Sequence, residues 1–98
     1  MTGIEFIARE RAEQLEKHGI TTAMDVENYT KDELRYAAIF CLTLHEDWWP
    51  KNWDEDIRYR VERKTMIERE SIAGALLAAD IDRLQVVGLS MIRENYED

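Results

Sequence analysis

The side chains able to do chemistry form a few sets: one thiol, two histidines, two groups of carboxylates, and two arginines with three tryptophans. The thiol, Cys41, lies in the apolar run Ala37-Ala-Ile-Phe-Cys-Leu42, where a thiolate nucleophile is disfavoured. Ser71 and Ser90 have no glycine-flanked elbow around them. His18 and His45 are far apart and form no HxxxH or HExxH pair, so no zinc set is expected. His18 precedes Gly19 at a helix end, and His45 falls near another; an imidazolium favours the negative end of a helix dipole.

The carboxylates come closest to a catalytic set. Glu10-Arg-Ala-Glu13 is an ExxE motif and is similar to the first half of the magnesium site in nucleotide pyrophosphohydrolases of the MazG type, which add an ExxD on a second helix. This chain has no ExxD. Asp80-Ile-Asp82 supplies acids, but at i and i+2 on a helix they point to different faces. Magnesium chemistry needs ligands converging on one ion. No catalytic residue, metal or cofactor is therefore expected, and a pyrophosphohydrolase relative using Glu10, Glu13, Asp80 and Asp82 is the second alternative.

Binding a nucleotide without turnover asks for less: an aromatic plate for the base and cationic forks for phosphate. Trp48, Trp49 and Trp53 are close together in sequence. They serve either as plates or as a hydrophobic plug at the end of a bundle. Arg11 falls within the apolar stripe of the first helix, near Gln14 and His18, and Arg83 falls within the stripe of the last, near Asp80. Snorkelling or a salt bridge accounts for either arginine alone. Two of them aimed inward suggest a polar pocket between helices. The candidate ligand-binding residues are Arg11, Gln14, His45, Trp48, Trp49, Trp53, Asp80 and Arg83.

The elements that must position these residues are helices. Thr2 caps a first helix to about Lys17, with Gly19 as its left-handed terminator. Ile4, Ile7, Ala8, Ala12 and Leu15 share one face, while Phe6 stands on the polar face as a mark of a partner. Residues 20–29 read as a loop. Thr30-Lys-Asp-Glu33 is a capping box that starts a second helix from about Lys31 to His45 or Asp47. Leu34, Ala37, Ala38, Cys41 and Leu42 cover one side of it, and Tyr36, Ile39 and Phe40 the other. A helix apolar nearly all round is central or lies at a subunit interface; in so short a chain an interface, and hence a homo-oligomer, is expected.

Pro50 forces Trp49 into extended backbone and opens a tryptophan-rich loop. Asn52-Trp-Asp-Glu55 caps a short third helix over about 54–63. Thr65-Met-Ile-Glu68 is a capping box for the longest helix, about 66–87, with Ile72, Ala75, Leu76, Ala79 and Val86 as its stripe. Gly74 inside that helix points to close helix packing, and the tail from Gly88 onward is at best amphipathic. The expected fold is one all-α domain over residues 1–98, a three-to-four-helix bundle with a Trp-rich loop between helices 2 and 3.

Composition bounds the partners. The chain has 98 residues and a formal net charge of −8, which repels nucleic-acid phosphates and anionic membranes. No apolar stretch approaches the length of a membrane span, and the N-terminus lacks a signal-peptide core. A single cysteine allows no internal disulfide. A cytoplasmic protein that binds neither DNA nor membrane is expected.

Several of these residues form a pattern: Glu10-Arg11, Gln14, His18-Gly19, Thr21, Asp25, Leu34, Ala37-Ala38, Trp49-Pro50, Trp53 and the block Ala73-Gly-Ala-Leu-Leu-Ala-Ala-Asp-Ile-Asp-Arg-Leu84. The pattern resembles a family of small phage and prophage proteins, which usually carry Glu where Asp80 stands. Such proteins are similar in type to the phage anti-Thoeris and anti-CBASS sponges, which are small, oligomeric and non-catalytic. The resemblance implies sequestration of a nucleotide immune signal, ADP-ribose-derived or cyclic, in the host cytoplasm. In that reading Arg11 and Arg83 meet phosphates, a tryptophan stacks on the base, and Gln14, His45 or Asp80 contacts ribose hydroxyls. The first alternative is a protein-binding module that uses Phe6 or the tryptophan loop.

Overall fold

The computed structural model describes residues 1–17 and 32–87. Over these residues the chain is all-α: α1 spans Gly3–Lys17, α2 Glu33–Thr43, α3 Glu55–Glu62 and α4 Met66–Val87, with a 3-10 turn at Glu46–Trp48. The features expected at His18, Gly19, residues 20–29, Thr30 and the tail from Gly88 lie outside the described residues.

Two helices begin with the same reciprocal device. The Thr2 amide donates to Glu5 Oε1 at 2.9 Å, and the Glu5 amide donates to Thr2 Oγ1 at 3.2 Å. Thr65 and Glu68 repeat the exchange at 3.0 and 3.2 Å. Amides left without partners at a helix start are thereby satisfied in pairs. The same hydrogen bonds hold the Glu5 and Glu68 carboxyls below their ordinary pKa.

α2 departs from its expected limits at both ends. It starts at Glu33 after Asp32, whose carboxylate makes no cap and instead holds the Arg35 guanidinium. It stops at Thr43, because Leu44 turns left-handed at φ 58° and its amide bonds back to Phe40 O at 2.7 Å. Trp49 is extended before Pro50, as expected. α3 is capped by Asp54 rather than Asn52: the Asp54 carboxylate accepts from the Asp56 amide at 2.9 Å.

α4 is the central element and packs against both α2 and α1. Leu34, Ala37, Ala38 and Cys41, at helical spacing, form the buried face of α2, and the core they join includes Ala73, Leu76 and Ala79 of α4. Arg69 reaches from α4 to α2, its Nη1 donating to Cys41 O at 3.0 Å. On the second side of α2, the tryptophan segment folds back. Phe40 meets Trp49 edge-on at 5.2 Å, and Trp49 meets Trp53 at 5.4 Å. Phe40 is thereby 0% exposed within one subunit, so it offers no interface. Tyr36 and Leu42 are left exposed. Val61 pins α3 to the same core.

On the other side of α4, α1 crosses closely, with Ile7 seated over Gly74. The face α1 turns inward differs from the expected stripe. Ile4, Ala8, Ala12 and Leu15 are exposed, while Gln14 is buried and Phe6 and Ile7 are half-buried. Two of the stripe residues are alanines, so burying them would remove little apolar area from water. The Ile7–Gly74 contact and an Arg11–Asp82 ion pair set the rotation of the helix instead.

Candidate functional site

The inward arginines belong to a polar cluster around the second half of α4. Asp80, buried in α4, receives Arg83 from the next turn: Nε and Nη2 both reach Oδ1, at 3.1 and 3.0 Å. Its Oδ2 lies 3.9 Å from Nε of Arg35 on α2. One buried carboxylate thus stands between two guanidiniums. Arg11 on α1 has its own partners, Gln14 Oε1 at 3.3 Å and Asp82 Oδ2 at 3.5 Å.

Asp80 and Asp82 do point to different faces of α4, as their spacing requires. The side chain of Asp80 is 4% exposed and that of Asp82 is 46% exposed. Arg11 and Arg83 therefore sit in two separate ion pairs, one toward α1 and one beside α2. Arg35 was missed from sequence. Its signal was the Asp32-x-x-Arg35 spacing at the start of α2.

The tryptophans divide. Trp49 is buried, and its indole N–H has no acceptor among the described residues. Trp53 packs against the core. Both serve as the plug that covers Phe40. Trp48 is half-exposed and lies against Tyr36 at 5.7 Å between ring centres. His45 is exposed, 3.7 Å from Asp47. Arg58 of α3 ties this segment to the helix through Glu46 at 3.6 Å, and also pairs with Glu55 and Glu62 of its own helix at 2.6 and 3.2 Å. Cys41 is buried, and desolvation pushes its thiol up to about 12, which leaves it a core side chain and not a nucleophile.

Glu10 and Glu13 are half-buried neighbours on α1. Desolvation, and then the Glu13 charge, raise the Glu10 carboxyl above its ordinary pKa. No Asp80 or Asp82 oxygen joins them: those carboxylates hold arginines. Among the described residues, no group of three or more His, Cys, Asp or Glu side chains is placed to hold a metal ion, and no helix is long and apolar enough to cross a membrane.

A largely apolar concavity was not foreseen as such. It is an open groove of about 400 Å³ between the start of α1 and the start of α4, lined by Gly3, Phe6, Ile7, Ile67, Glu70 and Ser71. Phe6, marked from sequence as a large aromatic on a polar face, forms part of this lining, with the Arg9 guanidinium 5.3 Å above its ring. Ile67 stands 60% exposed beside Met66 at 65%. The signal for this half was Met66-Ile67, an apolar pair in the first turn of α4 that lies off its buried stripe.

No family model, no curated protein and no solved structure matches this chain.

Proposed function

We propose that the protein is a non-catalytic protein-binding module that docks an apolar element of a partner in the groove between α1 and α4. One observation carries this reading: among the described residues, Phe6, Ile7 and Ile67 line a concavity that is open on one side. Apolar surface arranged in a groove and rimmed by polar groups suits a partner's side chains.

The test is selection of a random peptide library on the immobilised protein, repeated on Ile67→Asp. Ile67 is exposed, so the variant keeps its fold. Binders that survive on the wild type and vanish on the variant support the reading. Binders indifferent to Ile67, or no binders, refute it.

Nucleotide sequestration of the phage immune-signal sponge type is the second reading. What favours it is the gathering of Arg11, Arg35 and Arg83 around α4. Each guanidinium already holds a carboxylate of this chain, so a phosphate would have to displace Asp32, Asp80 or Asp82. A thermal-shift series with ADP-ribose-type and cyclic nucleotides, with and without magnesium, tests it, since only a ligand of the folded state raises the midpoint. Homo-oligomerisation, in turn, would have to use exposed residues such as Tyr36 and Leu42, because Phe40 is spent inside the subunit. A reducing cytoplasm suits the single buried thiol of Cys41.

A further inference from the structure

We infer that the α1/α4 groove takes the apolar face of a basic amphipathic helix. The inference rests on the protein-binding reading above and names the chemistry of the partner.

The groove supplies an apolar floor. A side chain built at Gly3 meets nothing within 4 Å, so that end of the groove is open space, and Ile67 projects beside it at 60% exposure. A row of apolar side chains from a helix can therefore enter along Phe6, Ile7 and Ile67.

The charged half is the rim. Glu10 and Glu13 follow Phe6 along one face of α1, at i+4 and i+7. Glu70 lines the groove from α4, and Glu68 lies close enough to be felt by Glu10. The cations nearby are Arg9, which is held over the Phe6 ring, Lys64, and the N-terminal ammonium of Met1 beside Gly3. Carboxylates therefore prevail around an apolar floor. Burial, and then the charge of Glu13, oppose the ionisation of Glu10, while Lys64 and Arg9 favour it. A cation brought by a partner would relieve that repulsion, and long-range attraction to a chain of net charge −8 would speed its approach. A second copy of this chain would bring the same carboxylates against themselves, so charge selects a basic partner over self-association.

The experiment follows the methyl and amide NMR signals of Phe6, Ile7 and Ile67 during titration with three synthetic peptides. One is a leucine–lysine amphipathic helix. The second has the same composition in scrambled order, without an apolar face. The third is a leucine–glutamate helix with the same apolar face. The leucine–lysine helix should bind saturably and shift the groove signals. Its affinity should fall by about tenfold or more in Ile67→Ser, the scale of one lost apolar contact. It should also fall in Glu10→Gln/Glu70→Gln and with added salt. The other two peptides should bind at least about tenfold more weakly.

Equal binding of the scrambled peptide, or shifts indifferent to Ile67→Ser, would reduce the effect to bulk charge and overturn the inference. Equal or tighter binding of the leucine–glutamate helix would leave groove docking standing and overturn the basic partner. No shift at Phe6, Ile7 or Ile67 with any helix would overturn both.

Discussion

Replacing Gly74 with alanine sets two known effects against each other. In an isolated helix the change would stabilise by about 1 kcal/mol, because glycine loses more backbone freedom on folding than alanine. Here the new Cβ would lie 2.6 Å from Ile7 Cδ1, 2.7 Å from Cγ1 and 3.3 Å from Cγ2. Two of these approaches are closer than a carbon contact tolerates, and they fall on the branch of the side chain as well as on its tip. Either Ile7 leaves its rotamer or α1 backs away from α4, a class of overpacking that costs about 1–3 kcal/mol. The sum predicts a net loss of about 1 kcal/mol, read as a drop of roughly 4–8 °C in the thermal midpoint for a domain of this size. The decisive assay is a double-mutant cycle followed by circular dichroism. Ile7→Ala removes all three contacting atoms, including the two that clash, so in that background Gly74→Ala should become stabilising by about 0.5–1 kcal/mol. If Gly74→Ala raises the midpoint with Ile7 intact, the close crossing of α1 on α4 is wrong.

Phe40→Ala should cost about 3–5 kcal/mol, and Phe40→Asp should unfold the subunit rather than dissociate an assembly, since the side chain is buried within one chain; a folded, monomeric Phe40→Asp protein in sedimentation would contradict this. Arg83→Leu leaves the buried Asp80 with only the more distant Arg35 guanidinium and should cost about 3 kcal/mol. Arg11→Ala should cost only about 1–2 kcal/mol, because its partner Asp82 is half-exposed and can be rehydrated by solvent; urea unfolding curves in which Arg11 matters more than Arg83 would reverse the ranking. Glu5 and Glu68 have depressed carboxyl pKa values, so the stability they add is present above the ordinary carboxylate range and is lost as pH falls through their folded values. Glu68→Ala should therefore destabilise at neutral pH and converge on the wild type in acid, because it removes the carboxylate that accepts from the Thr65 amide. Glu10 is raised, so its ionised form opposes folding, and Glu10→Gln should stabilise at neutral pH with the gain vanishing below the ordinary carboxylate range.

Local signals in the sequence determined much of the secondary structure. The capping exchange at Thr65 and Glu68 needs only the right residues three apart, and it sets the start of α4 where it was read. Thr2 likewise opens α1. The glycine at position 74 announced a close crossing, because a missing side chain inside a helix weakens it unless a neighbour occupies the space. Cys41 could be read as a core residue from its apolar neighbours alone.

What tertiary structure decided was which faces meet. α2 is apolar all round, and nothing local says that Trp49 folds back to cover Phe40 within the same chain. The rotation of α1 was misread because apolar counting weighs Ala8 and Ala12 as much as Ile7, whereas the structure weighs a contact with Gly74 and an ion pair with Asp82. The inward arginines were legible, but their counter-charges were not. Arg35 reaches Asp80 only because α2 lies alongside α4, and Asp82 faces Arg11 only because α1 crosses on the other side. The groove has the same origin. Phe6 and Ile67 lie far apart along the chain, and only the crossing of two helices at Gly74 sets them on the walls of one concavity.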